Sequence, residues 1–235
     1  VRLLYKEEIR TCGKDAKNIV SLGTAGFVMQ LTNSLVSICC NNVLSATGGD
    51  VYVSVMTIIS SVRQMIETPI WSISEGSSPV ISYNYGAKRP KKVIEAWITM
   101  SVLALIYSLI AWSVILFAPK FLIGIFSSDK SLMIDTVPAM KLYFSAFIFM
   151  LFQYTGQTMF KSLNKKKQAI FFSILRKVII VVPMTYMFPY VFHMGSNGVF
   201  MAEPVSNVIG GSLCFIVMLL TVLPELKQMN SDLSS

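Results

Sequence analysis

The sequence has 235 residues, of which 54% are apolar and 14% charged, with a formal net charge of +8. Soluble domains are usually about 45–50% apolar and about 25% charged, so this composition argues against a water-soluble chain and indicates lipid as the main solvent. The four cysteines form no CxxC pair and there is one histidine, which argues against a disulfide framework, a metal site and a histidine-based catalytic cluster.

Six long apolar runs follow one another along the chain, each long enough to cross a hydrocarbon core of about 30 Å as an α-helix. A segment in lipid must satisfy its own backbone hydrogen bonds, so we predict helices rather than open strands. The expected fold class is all-α, a polytopic membrane protein with a bundle of six transmembrane helices. The predicted spans are about residues 18–46, 51–82, 93–118, 132–160, 169–192 and 198–223, preceded by a cytoplasmic linker at 1–17 and followed by a cytoplasmic tail at 224–235.

Basic residues are concentrated on alternate connections. The segment before the first span, the loops after the second and fourth spans, and the tail carry five, four, four and one of them, whereas the opposite side has only Lys120 and Lys130. Short basic loops stay in the cytoplasm, so we expect a multi-pass protein of the plasma membrane with both termini cytoplasmic. Anionic lipid headgroups then account for the positive charge without nucleic acid as a partner.

Ionisable and amide side chains interrupt the first two spans, and such residues are costly in lipid. Gln30 and Asn33 share a helix face, which fits interhelical hydrogen bonds and a substrate path equally well. Arg63 and Glu67 are four residues apart, so they form either a structural ion pair or the wall of a cavity where Glu67 takes a proton or binds a cation. Glu75 lies near the inner end, either at the water interface or as a gate.

The last three spans carry further polar residues. Gln153 and Gln157, four apart, suit either contacts between helices or the lining of a cavity. Arg176 and Lys177 lie about two turns inside the fifth span. We interpret them as snorkelling to the cytoplasmic interface, with a fixed counter-charge to a carboxylate as the alternative. Glu203 lies near the outer end of the sixth span and is interpreted as a surface carboxylate.

Motifs of enzymes are not found in the sequence. There is no G-x-x-x-x-G-K-[ST] segment that would bind ATP phosphates, and Gly210-Gly211 is typical of a close helix contact. We therefore predict a protein that is not an enzyme and that uses no organic cofactor or metal.

Three stretches carry a resemblance to a known family. The segment SPVISYNYGAKRPKKV, residues 78–93, resembles the xPxxGYNxGAxxxxxV signature that closes the eighth helix of multidrug and toxic compound extrusion (MATE) transporters, with Pro79, Asn84 and Gly86 at motif positions. Residues 21–62 are similar to the seventh helix and the entry to the eighth. Residues 161–184 are similar to the junction of the tenth and eleventh helices.

The resemblance implies that this chain is the C-terminal six-helix lobe of a twelve-helix exporter, whose N-terminal lobe would be its missing partner. Members of the family use Na⁺ or H⁺ as the coupling ion and move mostly cationic or amphipathic small molecules between two access states. A Glu on the seventh helix of some members falls near Asn33 here, and an Asp on the tenth near Gln153. Because neither residue ionises, we expect this lobe to lack that cation site, with coupling in the missing lobe or at Glu67 or Glu75.

The sequence thus gives two sets of candidate residues. The predicted cavity wall consists of Gln30, Asn33, Arg63, Glu67, Gln153 and Gln157. The candidates for a gate or for family-motif roles are Glu75, Pro79, Asn84, Gly86 and Arg176. Two other functions stay open: a lipid-linked oligosaccharide flippase, disfavoured because only Arg63 is clearly at depth, and a non-transporting scaffold subunit.

Overall fold

The computed structural model describes the backbone of residues 13–232, with side chains from residue 30 to residue 231 and at residue 27. Residues 1–12 of the predicted linker and 233–235 of the predicted tail lie outside the described residues. Every regular element in the described part is helical. The helices are α1 (Gly13–Gly86), α2 (Pro90–Phe117), α3 (Pro119–Phe126), α4 (Lys130–Tyr143), α5 (Phe147–Ser162), α6 (Lys166–Val191) and α7 (Ser196–Ser231).

Helix α1 is broken at Gly49, whose backbone angles of φ 72° and ψ −171° are not helical. Glycine reaches this region readily because it has no Cβ. The break divides α1 into a first arm, residues 13–48, and a second arm, residues 50–86. Buried residues of both arms, including Val43 and Ile59, belong to the same core cluster, so the chain folds back at Gly49 and the two arms pack together.

Four helices in the described part are long and apolar enough to cross a membrane, and the bent pair of α4 and α5 is long and apolar enough as well when the two helices are taken together. The two helices of this pair meet at 50°. Asp129 caps the first turn of α4, accepting hydrogen bonds from the Ser131 backbone N–H at 2.8 Å and hydroxyl at 2.7 Å. These bonds favour the ionised carboxylate and lower the pKa of Asp129.

Helices α6 and α7 contain wider turns with i→i+5 hydrogen bonding. Such π-helical stretches occupy Leu175–Val181, Met187–Val191 and Asn207–Gly211. Prolines adjoin them, with Pro183 in α6 and Pro204 in α7. A proline has no N–H to donate to the preceding turn, and inserted π turns re-aim the side chains around them. Both helices therefore present polar residues at angles that a regular helix would not give.

The outer surface of the bundle is apolar. On α2, side chains such as Val102, Ile106 and Ile110 are about half exposed although the helix carries no compensating polar face. A water-soluble monomer rarely exposes a continuous apolar face of this kind. This surface suits contact with lipid tails, which accords with the apolar composition of the chain.

Glycines bring the last helices into close contact. A Cβ on Gly211 would lie 2.5 Å from the Phe149 carbonyl oxygen, and a Cβ on Gly198 would lie 2.7 Å from the Pro189 nitrogen. Small residues of this kind let helix backbones approach closely in membranes. Gly211 therefore fixes α7 against α5, and Gly198 fixes α7 against α6.

Candidate functional site

Two adjoining cavities of about 440 Å³ and 340 Å³ open between α1, α5, α6 and α7. Their size falls in the usual range for small-molecule sites, about 300–1,000 Å³. Seven residues line both cavities: Gln30, Asn33, Arg63, Glu67, Trp71, Tyr154 and Lys177. Four of these seven belong to the predicted cavity wall.

Arg63 on the second arm of α1 connects three helices through its guanidinium. Its Nε donates to Glu67 one turn later, which completes the i, i+4 ion pair. Its Nη1 donates to the Tyr143 hydroxyl on α4 at 2.6 Å, and its Nη2 lies 2.8 Å from the Glu203 carboxylate on α7. The planar guanidinium suits such multiple pairing because its donors are held in a fixed fork.

Glu203 is buried and has three cationic partners. Besides Arg63, the Lys177 ammonium lies 3.2 Å and the Arg176 guanidinium 3.5 Å from the same carboxylate oxygen of Glu203. Arg176 also donates to the Asn207 side chain one turn further along α7. We call Arg63, Glu67, Arg176, Lys177 and Glu203 the buried network; charges in such surroundings persist when they are paired.

The structure corrects four interpretations of the sequence. Glu203 is only 5% exposed, so it is not a surface carboxylate, and Arg176, at 6%, does not snorkel to the interface. Lys177 is likewise paired inside the bundle, its side chain 11% exposed. Arg176 and Lys177 lie in the π-helical stretch of α6 and face α7. There the Glu203 carboxylate neutralises their positive charge, which lipid tails could not do. The statement that only Arg63 lies at depth is therefore also wrong.

The two glutamines of α5 are buried and contact α6. Gln153 donates from Nε2 to the Phe172 carbonyl and Gln157 to the Ala169 carbonyl, each at 3.4 Å. Both also line the second cavity. Each glutamine therefore both contacts a neighbouring helix and lines a cavity, the two roles that the sequence left open. The Gln153 Oε1 has no partner among the described residues.

The remaining wall residues lie on the first arm of α1. Gln30 and Asn33 are exposed side chains on the cavity side of that arm, and the Gln30 carbonyl accepts a hydrogen bond from Ser34 at 3.2 Å. They therefore border the opening rather than the buried network.

The candidates for a gate are separated by the structure. Glu75 and Arg176 line the second cavity, and Glu75 pairs with Lys161 at 2.8 Å where both side chains are 37% exposed. The motif residues lie further along the second arm, outside both cavities. Asn84 donates to the Val80 carbonyl within its own helix at 2.9 Å, Pro79 is exposed, and Gly86 ends α1.

Tyr143, Glu203 and Asn207 are members of the site that the candidate sets omit. Glu203 and Asn207 are four residues apart, the spacing that places two side chains on one helix face, and this signal was available in the sequence. Tyr143 gave no such signal, because its partner Arg63 is 80 positions earlier. Within the described residues, no group of His, Cys, Asp and Glu side chains could hold a metal ion.

Comparison with known proteins identifies the relatives of this chain. The MatE family model matches residues 26–187. Among solved structures, the chain is similar to a MATE in the bent conformation, with 18% identity, a TM-score of 0.81, and coverage of 100% of this chain and 49% of that one.

Two further structures are of a multidrug resistance MATE family transporter of the MOP superfamily. The inward-facing form gives a TM-score of 0.79 at 19% identity, covering 97% of this chain and 50% of that one. The outward-facing form gives 0.82 at 19%, covering 93% and 48%.

The chain thus spans about half the length of the solved structures that it matches. The curated proteins contained no match to the sequence. The family model, which covers more than half of the chain, agrees with the helical bundle and with the resemblance of residues 78–93, and the chain belongs to the MatE family of membrane transporters.

Proposed function

We propose that the chain is one six-helix lobe of a secondary transporter that exports amphipathic small molecules from the cytoplasm, driven by Na⁺ or H⁺. The observation that carries this proposal is the pair of polar cavities, lined by buried charges, inside a bundle with an apolar surface. Intramembrane charges are costly and usually mark a transport path. A second six-helix lobe would close the other side of the cavity, and the plasma membrane is the expected location.

Alternating access requires that the coupling ion bind one state better than the other, since only differential affinity shifts a conformational equilibrium. Glu67 is the better candidate for this role in the lobe. Among the described residues it has one cationic partner, Arg63, and it accepts a further hydrogen bond from Tyr154 at 3.2 Å. Glu203 has three cationic partners, so a proton or sodium ion meets fewer competitors at Glu67.

Binding at Glu67 would also reach other helices. Neutralising this carboxylate weakens its hold on Arg63, which pairs with Tyr143 on α4 and Glu203 on α7. The two π-helical stretches that carry Arg176, Lys177 and Asn207 adjoin the same contacts. A change of charge at one side chain can therefore alter the packing of three helices.

The proposal is tested by drug efflux from cells that lack their own exporters and express the full reading frame containing this chain. Glu67→Gln is expected to lower efflux about tenfold or more at unchanged protein level, a coupling typical of linked sites. Glu95→Gln is the matched control, because among the described residues Glu95 pairs only with Lys92, on the surface, where both side chains are more than 60% exposed. Unchanged efflux in Glu67→Gln would remove Glu67 from the mechanism, and absence of efflux for every compound tested would contradict the transport function.

One observation favours a second candidate, the lipid-linked oligosaccharide flippase. Three cations, the buried Arg176 and the partly buried Arg63 and Lys177, meet at the cavities, whereas the sequence indicated one. Pyrophosphate is a ligand that such a group could hold. Movement of a fluorescent lipid pyrophosphate across proteoliposomes, without efflux of drugs, would favour this function over the first.

A further inference from the structure

We propose that the cavities bind a negatively charged group, a carboxylate or a phosphate, of the transported amphiphile, with Lys177 as its principal donor. This inference rests on the proposed transport function and narrows its substrate class. It departs from the mostly cationic substrates that the family resemblance implies.

The charges of the buried network do not balance. The buried network has three cations, Arg63, Arg176 and Lys177, and two carboxylates, Glu67 and Glu203. The other ion pair of the second cavity, Lys161 with Glu75, is neutral as a unit and lies in a more exposed position. The described residues thus give the interior an excess of one positive charge, which an anion would compensate in a medium where unpaired charge is costly.

Lys177 has hydrogen-bond donors beyond those that Glu203 requires. Its ammonium lies 3.2 Å and 3.5 Å from the two oxygens of Glu203. Both distances are longer than the usual 2.7–2.9 Å of a charge-assisted hydrogen bond. An ammonium group has three N–H donors, and Lys177 lines both cavities. It can therefore donate to a ligand in either cavity while staying near Glu203.

Arg176, the residue before Lys177 in the chain, is held in place by α7. Arg176 donates to Asn207 and packs against Gly210, where a Cβ would lie 2.8 Å from the Arg176 Cγ. The missing side chain at Gly210 makes room for the stem of Arg176. Its charge is consequently fixed beside the second cavity and adds to the attraction for an anion.

The first cavity also has an apolar wall that suits the hydrocarbon part of an amphiphile. Apolar side chains line the first cavity next to the charged ones, among them Met56, Val181 and Val199. A ligand that fills this cavity would place a hydrocarbon part against these side chains and its charge against Lys177. A cationic amphiphile in the same pose would bring like charges together, which is unfavourable at short range.

The experiment uses the full reading frame purified in a neutral detergent, with two bromoalkyl probes of similar length whose head groups carry opposite charges. These are 8-bromooctanoate and 8-bromooctylammonium, whose bromine quenches nearby tryptophan. Trp71 lines both cavities, and loss of the quenching in Trp71→Phe assigns the signal to it. We expect the anion to quench Trp71 fluorescence at a concentration about tenfold lower than the cation requires. This factor corresponds to a difference in binding free energy of about 1.4 kcal/mol.

Variants of the lysines sharpen the result. Lys177→Gln is expected to weaken binding of the anion about tenfold, and Lys177→Arg to retain it, because the arginine keeps the charge and donors. Lys92→Gln is the control, since Lys92 pairs with Glu95 on the surface and lines neither cavity. Equal or stronger quenching by the cation would overturn the inference, and so would unchanged affinity in Lys177→Gln. The comparison of the two probes needs no variant, so it decides even if Lys177→Gln fails to fold.

A second experiment identifies the source of the anionic group. The protein is placed in nanodiscs of phosphatidylcholine with or without brominated phosphatidylglycerol. Quenching of Trp71 by the anionic lipid, lost in Lys177→Gln, would support a lipid phosphate as ligand, whereas quenching by 8-bromooctanoate alone would support a soluble carboxylate. Quenching by neither would overturn the inference.

Failure of this inference and failure of the transport function are distinguishable, because binding is measured without transport. Anion binding in a protein that exports nothing would support the anion site at Lys177 and contradict the proposed transport function. Export of cationic drugs that depends on Glu67, without anion binding, would contradict the inference alone.

Discussion

Arg63 shows how one residue can organise a membrane bundle. Its three contacts reach Glu67 in its own helix, Tyr143 in α4 and Glu203 in α7. Removing one partner of a buried ion pair leaves the other uncompensated, which costs more than the pair contributes. The stability of the lobe should therefore depend on the match between these charges more than on any single one.

We predict that Arg63→Gln destabilises the protein by about 3 kcal/mol, because Glu67 would lose its one cationic partner among the described residues. Arg63→Gln combined with Glu67→Gln removes both charges of the pair and should recover more than half of that loss. Thermal unfolding in detergent, followed by the soluble fraction on gel filtration, measures both. A double variant no more stable than the single one would show that charge balance is not the cause.

At this scale the sequence predicted part of the site. The i, i+4 pair of Arg63 and Glu67 follows from helix geometry alone, and the pair forms in the structure. The contact of Glu203 with Arg63 could not be predicted, because the two residues are 140 positions apart and no local pattern records that contact. For Arg176 and Lys177, the alternative of a counter-charge to a carboxylate was open in the sequence, but the carboxylate was not identified. Burial of Glu203 depends on the packing of α7, which is a tertiary property.

At the scale of elements, α1 shows how one residue sets the path of a helix. A continuous helix from Gln30 to Gly86, 57 residues long, would measure about 85 Å, far more than a bilayer core. The break at Gly49 lets the chain return across the bundle. Its position is fixed by a positive φ that residues with a Cβ rarely adopt.

We predict that Gly49→Ala destabilises the protein by about 1–3 kcal/mol, the usual cost of such a backbone conformation for a residue with a side chain. Gly76→Ala is the matched control in the same helix, because neither position has an atom within 4 Å of the added Cβ and Gly76 has no positive φ. The control should change stability by less than about 1 kcal/mol, and in the favourable direction. Equal melting temperatures of the two variants would contradict the role assigned to Gly49.

The helices themselves follow from hydropathy, since lipid leaves a buried backbone few alternatives. The internal irregularities do not. The 50° bend between α4 and α5 and the π-helical stretches of α6 and α7 depend on contacts with neighbouring helices. Prolines at 183, 189 and 204 marked where irregularity was possible but not which kind would form.

At the scale of the whole molecule, the distribution of charge sets the expected orientation. The basic residues 165–167 at the start of α6 and the opposite loop that precedes Lys130 should lie on different sides of the membrane. Both Lys130 and Lys167 are exposed, so each can report the side on which it lies.

We predict that a membrane-impermeant maleimide added to intact cells labels Lys130→Cys but not Lys167→Cys, which should react only after the cells are opened. The parent chain measures the background of the four native cysteines, of which Cys40 and Cys214 are buried. Labelling of Lys167→Cys from outside would reverse the proposed orientation of the lobe.

The glycine contacts of α7 bear on how the lobe could move. Because Gly211 holds α7 against the backbone of α5, and Gly198 holds it against α6, sliding of any of these three helices past another would force backbones into collision. They should therefore travel as a rigid block. Large displacements during the proposed transport cycle would then fall between this block and the rest of the protein.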